Sequence, residues 1–181
     1  MKKIVTIGFL ISVIACNQNK SSEESNLEKV DAKVAINAML SKMYVGDRES
    51  KSPLEDTLLF SKEIVALNTK CDAITQLDTK RIAHSNSPSD KPLLREGSAI
   101  SSLYEGVTDY KINKINDNGK NIEVIVSLSN KFYKDQKPWK ERIVFSTEGG
   151  LKIDDIYFDQ NLANASSLKN KLKNFSQQKI H

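Results

Sequence analysis

The sequence predicts an α+β protein, with N-terminal helices packed on a curved four-stranded antiparallel meander and a short C-terminal helix. Three observations predict it. Apolar residues recur at helical spacing up to residue 78. After residue 107 they alternate with period two. Turn signals separate the alternating runs, so neighbouring strands are joined by hairpins and lie antiparallel.

The first helix is expected over about residues 28–45, because Ala32, Ile36, Met39, Leu40 and Met43 fall on one helical stripe ended by Gly46-Asp47. Ser52-Pro53 offers an N-cap followed by proline at the first helical position, so a second helix is expected to start there. Its stripe is Phe60, Ile64, Leu67, Cys71 and Ile74, with an end near Asp78. Residues 82–91 are polar and hold Pro88, a connector signature.

Four strands follow. The first is expected over Val107 to Asn116, with Tyr110 and Ile112 on one face. Asn118-Gly119 marks a hairpin. Ile122, Val124, Val126 and Leu128 alternate in the second strand, and Trp139, Glu141, Ile143 and Phe145 in the third. In the fourth, Leu151 and Ile153 give way to Ile156 and Phe158, a phase change at Asp154-Asp155 that predicts a bulge. Leu168, Leu172 and Phe175 predict a closing helix capped by Asn164 or Ser166.

The N-terminus has a different character. Lys2 and Lys3 precede twelve residues that are apolar apart from Thr6 and Ser12, and small Ala15 stands before Cys16. This is the layout of an export signal. Twelve helical residues reach roughly 18 Å against about 30 Å of bilayer core, too short to span. Val13-Ile14-Ala15-Cys16 resembles the bacterial lipobox. That resemblance implies cleavage between Ala15 and Cys16, and diacylglycerol on the Cys16 sulfur. Residues 17–26 contain no apolar side chain and are expected to be a flexible tether. The expected organisation is a lipoprotein signal peptide over 1–15, lipidated cysteine and tether over 16–27, one α+β domain over 28–176 and a tail over 177–181. The expected location is the bacterial cell envelope, in the outer membrane facing periplasm or surface, with the membrane engaged through lipid on Cys16.

The whole chain carries a formal charge of +4, and without residues 1–15 it carries +2. A nucleic-acid partner is not expected from so small and dispersed a charge. Residues 160–181 hold four lysines and no acid, expected to be the solvated face of the last helix. With Cys16 lipidated, Cys71 has no partner for an intramolecular disulfide and is expected to be a buried, inert thiol.

Three stretches, Asp90 to Gly97, Ser101 to Gly106, and Gly150-Leu151-Lys152-Ile153-Asp154-Asp155-Ile156, together resemble an uncharacterised bacterial lipoprotein family, the domain-of-unknown-function 3828 type. The last stretch is similar to the end-strand of cystatin-like, nuclear-transport-factor-two-like folds. The resemblance implies a sheet curved around a long helix and supplies no activity.

Asp154 and Asp155 are the conspicuous acidic pair, but adjacent strand residues point to opposite faces unless a bulge intervenes. The expected role is that of a bulge residue, one of the two, bonding to nearby backbone amides. Trp139 follows Pro138 and is expected to be exposed. With Tyr104 and the two aspartates it forms the set of candidate binding residues. His84 and His181 are the only histidines, and no zinc spacing, nucleophile elbow or phosphate loop is present. No cofactor or metal is expected. The expectation is a non-catalytic, lipid-anchored binding or accessory module, of immunity or inhibitor type in one version, whose partner is an envelope protein or small ligand. The alternative is a cone-pocket enzyme using Asp154 or Asp155 with a hydroxyl or His84.

Overall fold

The computed structural model describes residues 20–46 and 52–180. Ala15, Cys16 and the rest of the export segment lie outside them. Among the described residues no helix is long and apolar enough to cross a membrane.

The chain divides into two compact units, Met1–Ile36 and Asn37–His181. In the first, the helical backbone of α1, Lys20–Tyr44, begins well before residue 28. It therefore takes in the last residues of the stretch expected as a tether. Polar Lys, Ser and Glu give no apolar stripe to read, yet none of them breaks a helix. Along α1, Ile36, Leu40 and Met43 are buried as the stripe predicts.

The second unit is α+β, as the sequence predicts. Ser52 is indeed an N-cap, its Oγ accepting from the Leu54 amide, but it caps only a 3-10 turn, Pro53–Glu55. Helix α2 runs Lys62–Ala83 behind a different cap, Ser61, whose Oγ accepts from the Ile64 amide. Glu63 in the first turn and Lys80 and Arg81 in the last complement the helix dipole. Phe60 is not helical. It forms a parallel bridge to Ile153, where the Ser61 amide donates to the Ile153 carbonyl and the Ile153 amide to the Leu59 carbonyl.

The sheet is a meander in the order β1-β2-β3-β4, all antiparallel, with β1 Asp109–Asp117, β2 Asn121–Ser129, β3 Trp139–Ser146 and β4 Lys152–Tyr157. The β1–β2 hairpin turns at Asn118-Gly119, where Gly119 has φ of +83°, a conformation that favours glycine. Asn118 Oδ1 accepts from the Lys120 and Asn121 amides and tightens the turn. In β2 the buried residues are Ile122, Val124, Val126 and Leu128, the predicted set. Two irregularities interrupt the ladders. In β1 the register shifts between Ile112 and Lys114, so Asn113 is extra and Ile115 returns to the Ile112 face. In β4 Val144 pairs with Asp155 but Phe145 with Ile153, leaving Asp154 unpaired as the predicted bulge.

Helix α3, Leu168–Ser176, is capped by Ser167, one residue beyond the expected Ser166. Leu168, Leu172 and Phe175 are its buried stripe. It packs on α2 and β4, and the Cys71 thiol, buried on α2, donates to the Leu172 carbonyl. Burial pushes the Cys71 thiol above its usual pKa, as expected of an inert core cysteine. The lysines of α3 are only in part the solvated face that composition suggests, for Lys173 is exposed while Lys169 and Lys171 are half-buried. Lys169 lies between Glu63 and Asp154, Lys173 pairs with Glu63, and Lys171 donates to the Ser98 carbonyl.

Candidate functional site

The site is assembled around one inward-facing carboxylate and the cleft beside it. In β3 residues two apart share a face, so Trp139 and Glu141 point the same way, into the core. Glu141 is 2% exposed. Its Oε1 accepts from the Ser102 amide at 2.6 Å, the Ser102 hydroxyl at 2.7 Å and Trp139 Nε1 at 3.0 Å. Its Oε2 accepts from the Tyr44 hydroxyl at 3.3 Å. Burial pushes the Glu141 carboxyl above its ordinary pKa, against the downward pull of those donors. Burial, then the Glu141 charge, holds the Tyr44 hydroxyl well above its usual value.

Three remote segments thus meet on one side chain: the end of α1, the loop carrying Ser102, and β3. The Ser102 hydroxyl also accepts from the Asp159 amide at 2.7 Å, which adds the segment after β4. Ser102 is engaged on both sides, so the carboxylate holds the loop in place.

That loop forms one wall of a cleft of about 920 Å³. Leu93, Leu94, Phe158, Leu162 and Phe175 supply apolar lining, and Tyr104 stands at the rim. Arg95 and Lys171 bring positive charge and Glu96 a negative one. The Arg95 guanidinium is held by Asp72 and Asn68 on α2. Among the described residues Lys171 donates to a carbonyl, and its pKa is lowered, first by burial and then by the neighbouring Arg95 charge, with the Glu96 carboxylate pulling the other way. It is a partly desolvated cation that Glu96 compensates in part, and a bound anion would add to that.

Of the four candidate binding residues, Tyr104 alone lines this cleft. Trp139 is 4% exposed rather than at the surface, because its indole N–H is drawn inward by Glu141. Asp155 is 7% exposed and accepts from the Ile156 amide at 2.9 Å and the Lys169 amide at 3.0 Å, the backbone role expected of one aspartate. Asp154 accepts from Lys169 Nζ at 2.8 Å. The bulge does not bring the two carboxylates together over the cleft. His84 caps the far end of α2, with Nδ1 at 2.8 Å from the Lys80 carbonyl. The residues the enzyme alternative needs are therefore dispersed.

The sequence carried one overlooked signal for the site, an acidic residue at an inward position of the strand containing Trp139, Ile143 and Phe145. Ser102 and Lys171 carried none. No family model matches this chain, and neither a curated protein nor a solved structure matches it.

Proposed function

We propose that this protein is a lipid-anchored binding module of the bacterial cell envelope that takes its ligand in the cleft. The anchor rests on the export segment and the lipobox-like Val13 to Cys16. The binding role rests on one observation, the partly desolvated Lys171 ammonium set in a largely apolar cleft beside Arg95, where Glu96 offsets only part of the positive charge and, among the described residues, its hydrogen bond goes to a carbonyl. A ligand suited to it has an apolar body and an acidic group. Either a small amphiphile or an acidic segment of an envelope protein meets that description.

The two halves of the proposal are tested separately. Metabolic labelling with a clickable fatty acid tags the wild-type protein, and Cys16→Ser abolishes the tag. Label retained by Cys16→Ser removes the anchor from the proposal. For the cleft, the mature chain captures its ligand from envelope extracts, and Leu94→Glu lowers the captured amount at least about tenfold while leaving the melting temperature within a few degrees. Leu94 suits this because it lines the cleft yet is 61% exposed, so the core does not depend on it. Equal capture by wild type and Leu94→Glu places binding elsewhere.

A further inference from the structure

We propose that the loop between β2 and β3, with the Tyr104 loop beside it, is a protein-borne contact for an anionic bilayer surface. The proposal rests on the envelope location given above and adds a second membrane contact, independent of lipid.

The loop reads Lys131-Phe132-Tyr133-Lys134-Asp135-Gln136-Lys137-Pro138, and Lys140 follows on β3. Its aromatics are not core. Phe132 is 74% exposed, Tyr133 46% and, on the adjoining loop, Tyr104 74%. Isolated exposed apolar residues need no explanation, but the two loops that carry these three are bonded to each other. Asn130 is buried, and its Nδ2 donates to the Glu105 and Gly106 carbonyls while its Oδ1 accepts from the Phe132 amide. The Lys131 amide donates to Thr108 Oγ1. Both loops are therefore tied together at the same end of the sheet, and the Phe132 and Tyr133 amides are themselves bonded to Asn130.

The charge has matching character. Lys131, Lys134, Lys137 and Lys140 are exposed, and among the described residues none of their ammoniums is in an ion pair. Lys131 Nζ lies 5.2 Å from the Phe132 ring centroid. Asp135 is the one acid in the loop, with Glu105 and Asp109 nearby, so lysine remains in excess. Exposed aromatics interleaved with unpaired lysines suit the bilayer interface, where ring bodies enter the headgroup layer and ammoniums meet lipid phosphates. An acidic protein surface would use the lysines but leave Phe132 without an apolar counterpart.

The experiment uses the full mature chain carrying Cys16→Ser, which has no lipid. It is sedimented with vesicles of phosphatidylcholine alone, or of phosphatidylcholine containing about a third phosphatidylglycerol, at about 0.1 M salt. The expected result is partition onto the anionic vesicles, little onto the neutral ones, and loss of binding at high salt. A lysine beside an anionic surface contributes about a fivefold factor, so Lys131→Gln with Lys134→Gln lowers partitioning about 25-fold. Phe132→Ser lowers it about tenfold, because an inserted ring is removed. Both variants keep the wild-type melting temperature, since the altered side chains are exposed. Wild-type protein that stays in solution with anionic vesicles overturns the proposal, as does undiminished binding by the variants. Equal sedimentation with neutral vesicles overturns the role of charge. Fatty-acid labelling at Cys16 is read on different protein, so loss of the anchor and loss of this contact are distinguishable.

Discussion

Replacing Glu141 with leucine is expected to cost about 3–6 kcal/mol of folding stability, the largest loss from any single change away from the apolar core. The substitution leaves the Ser102 amide, the Trp139 indole N–H and the Tyr44 hydroxyl facing an apolar side chain. Each buried donor without an acceptor costs about 1–3 kcal/mol. Among the described residues every buried side-chain polar atom has a partner, so the loss would stand alone. Domains of this size have about 5–15 kcal/mol in hand, and the variant would be partly unfolded at growth temperature. Glu141→Gln is the control. Its amide oxygen keeps the three bonds made by Oε1, and only the Tyr44 hydroxyl proton loses its acceptor, so the cost falls to about 1–3 kcal/mol.

The same pair of variants reports on pH. Because the folded-state pKa of Glu141 is raised, the folded protein holds this proton more tightly than the unfolded chain does. Its contribution is fully present below the ordinary glutamate range and is lost as pH rises through the raised value. Glu63, held down by Lys169 and Lys173, and Asp78, held down by the Leu93 amide and Arg81, contribute in the opposite sense. Their stabilisation is present above the ordinary carboxylate range and lost as pH falls through their lowered values. Denaturant melts at several pH values are expected to show Glu141→Gln gaining on the wild type as pH rises. A constant difference at every pH would mean that Glu141 titrates as an ordinary glutamate.

Asp155→Asn is expected to cost about 1.5–3 kcal/mol, and Asp154→Asn less than about 1 kcal/mol. Asp155 accepts two backbone amides from a buried position, and one belongs to the first turn of α3, where negative charge is favoured. Asp154 is more exposed and shares Lys169 with Glu63, which keeps the lysine paired after the substitution. Equilibrium unfolding of the two variants side by side decides this. Equal losses, or a larger loss at Asp154, would show that the bulge is held by the lysine and that capping of α3 is secondary.

These two aspartates also show what the sequence could and could not reveal. The bulge was legible because alternation is a local property, and the shift from Ile153 to Ile156 breaks it within three residues. The β2 face, the Asn118-Gly119 turn and the Cys71 stripe are local in the same way. Ser52-Pro53 misled because a cap and a proline are equally suited to one 3-10 turn and to a long helix. What decides between them is the pairing of Phe60 with Ile153, which no nearby residue announces. Trp139 misled for a related reason. Its position after a proline suggested exposure, while its burial follows from Glu141, Ser102 and Tyr44, drawn from three segments. Lys169, Lys171 and Lys173 look alike in sequence and differ only in what α2, β4 and the Ser98 loop place opposite them.

The irregularity at Asn113 bears on how the protein behaves in a crowd. The outer side of β4 is occupied by Phe60 and by the Tyr157–Ser167 bridge, so another strand finds little backbone to pair with there. The outer side of β1 has no partner strand among the described residues. A flat edge of that kind would template chain-to-chain sheet growth. Here the extra residue twists the strand, and Lys111 and Lys114 flank it with like charge. A second copy approaching edge to edge meets broken register and repulsion together. Many copies can then be crowded together without polymerising through their sheets.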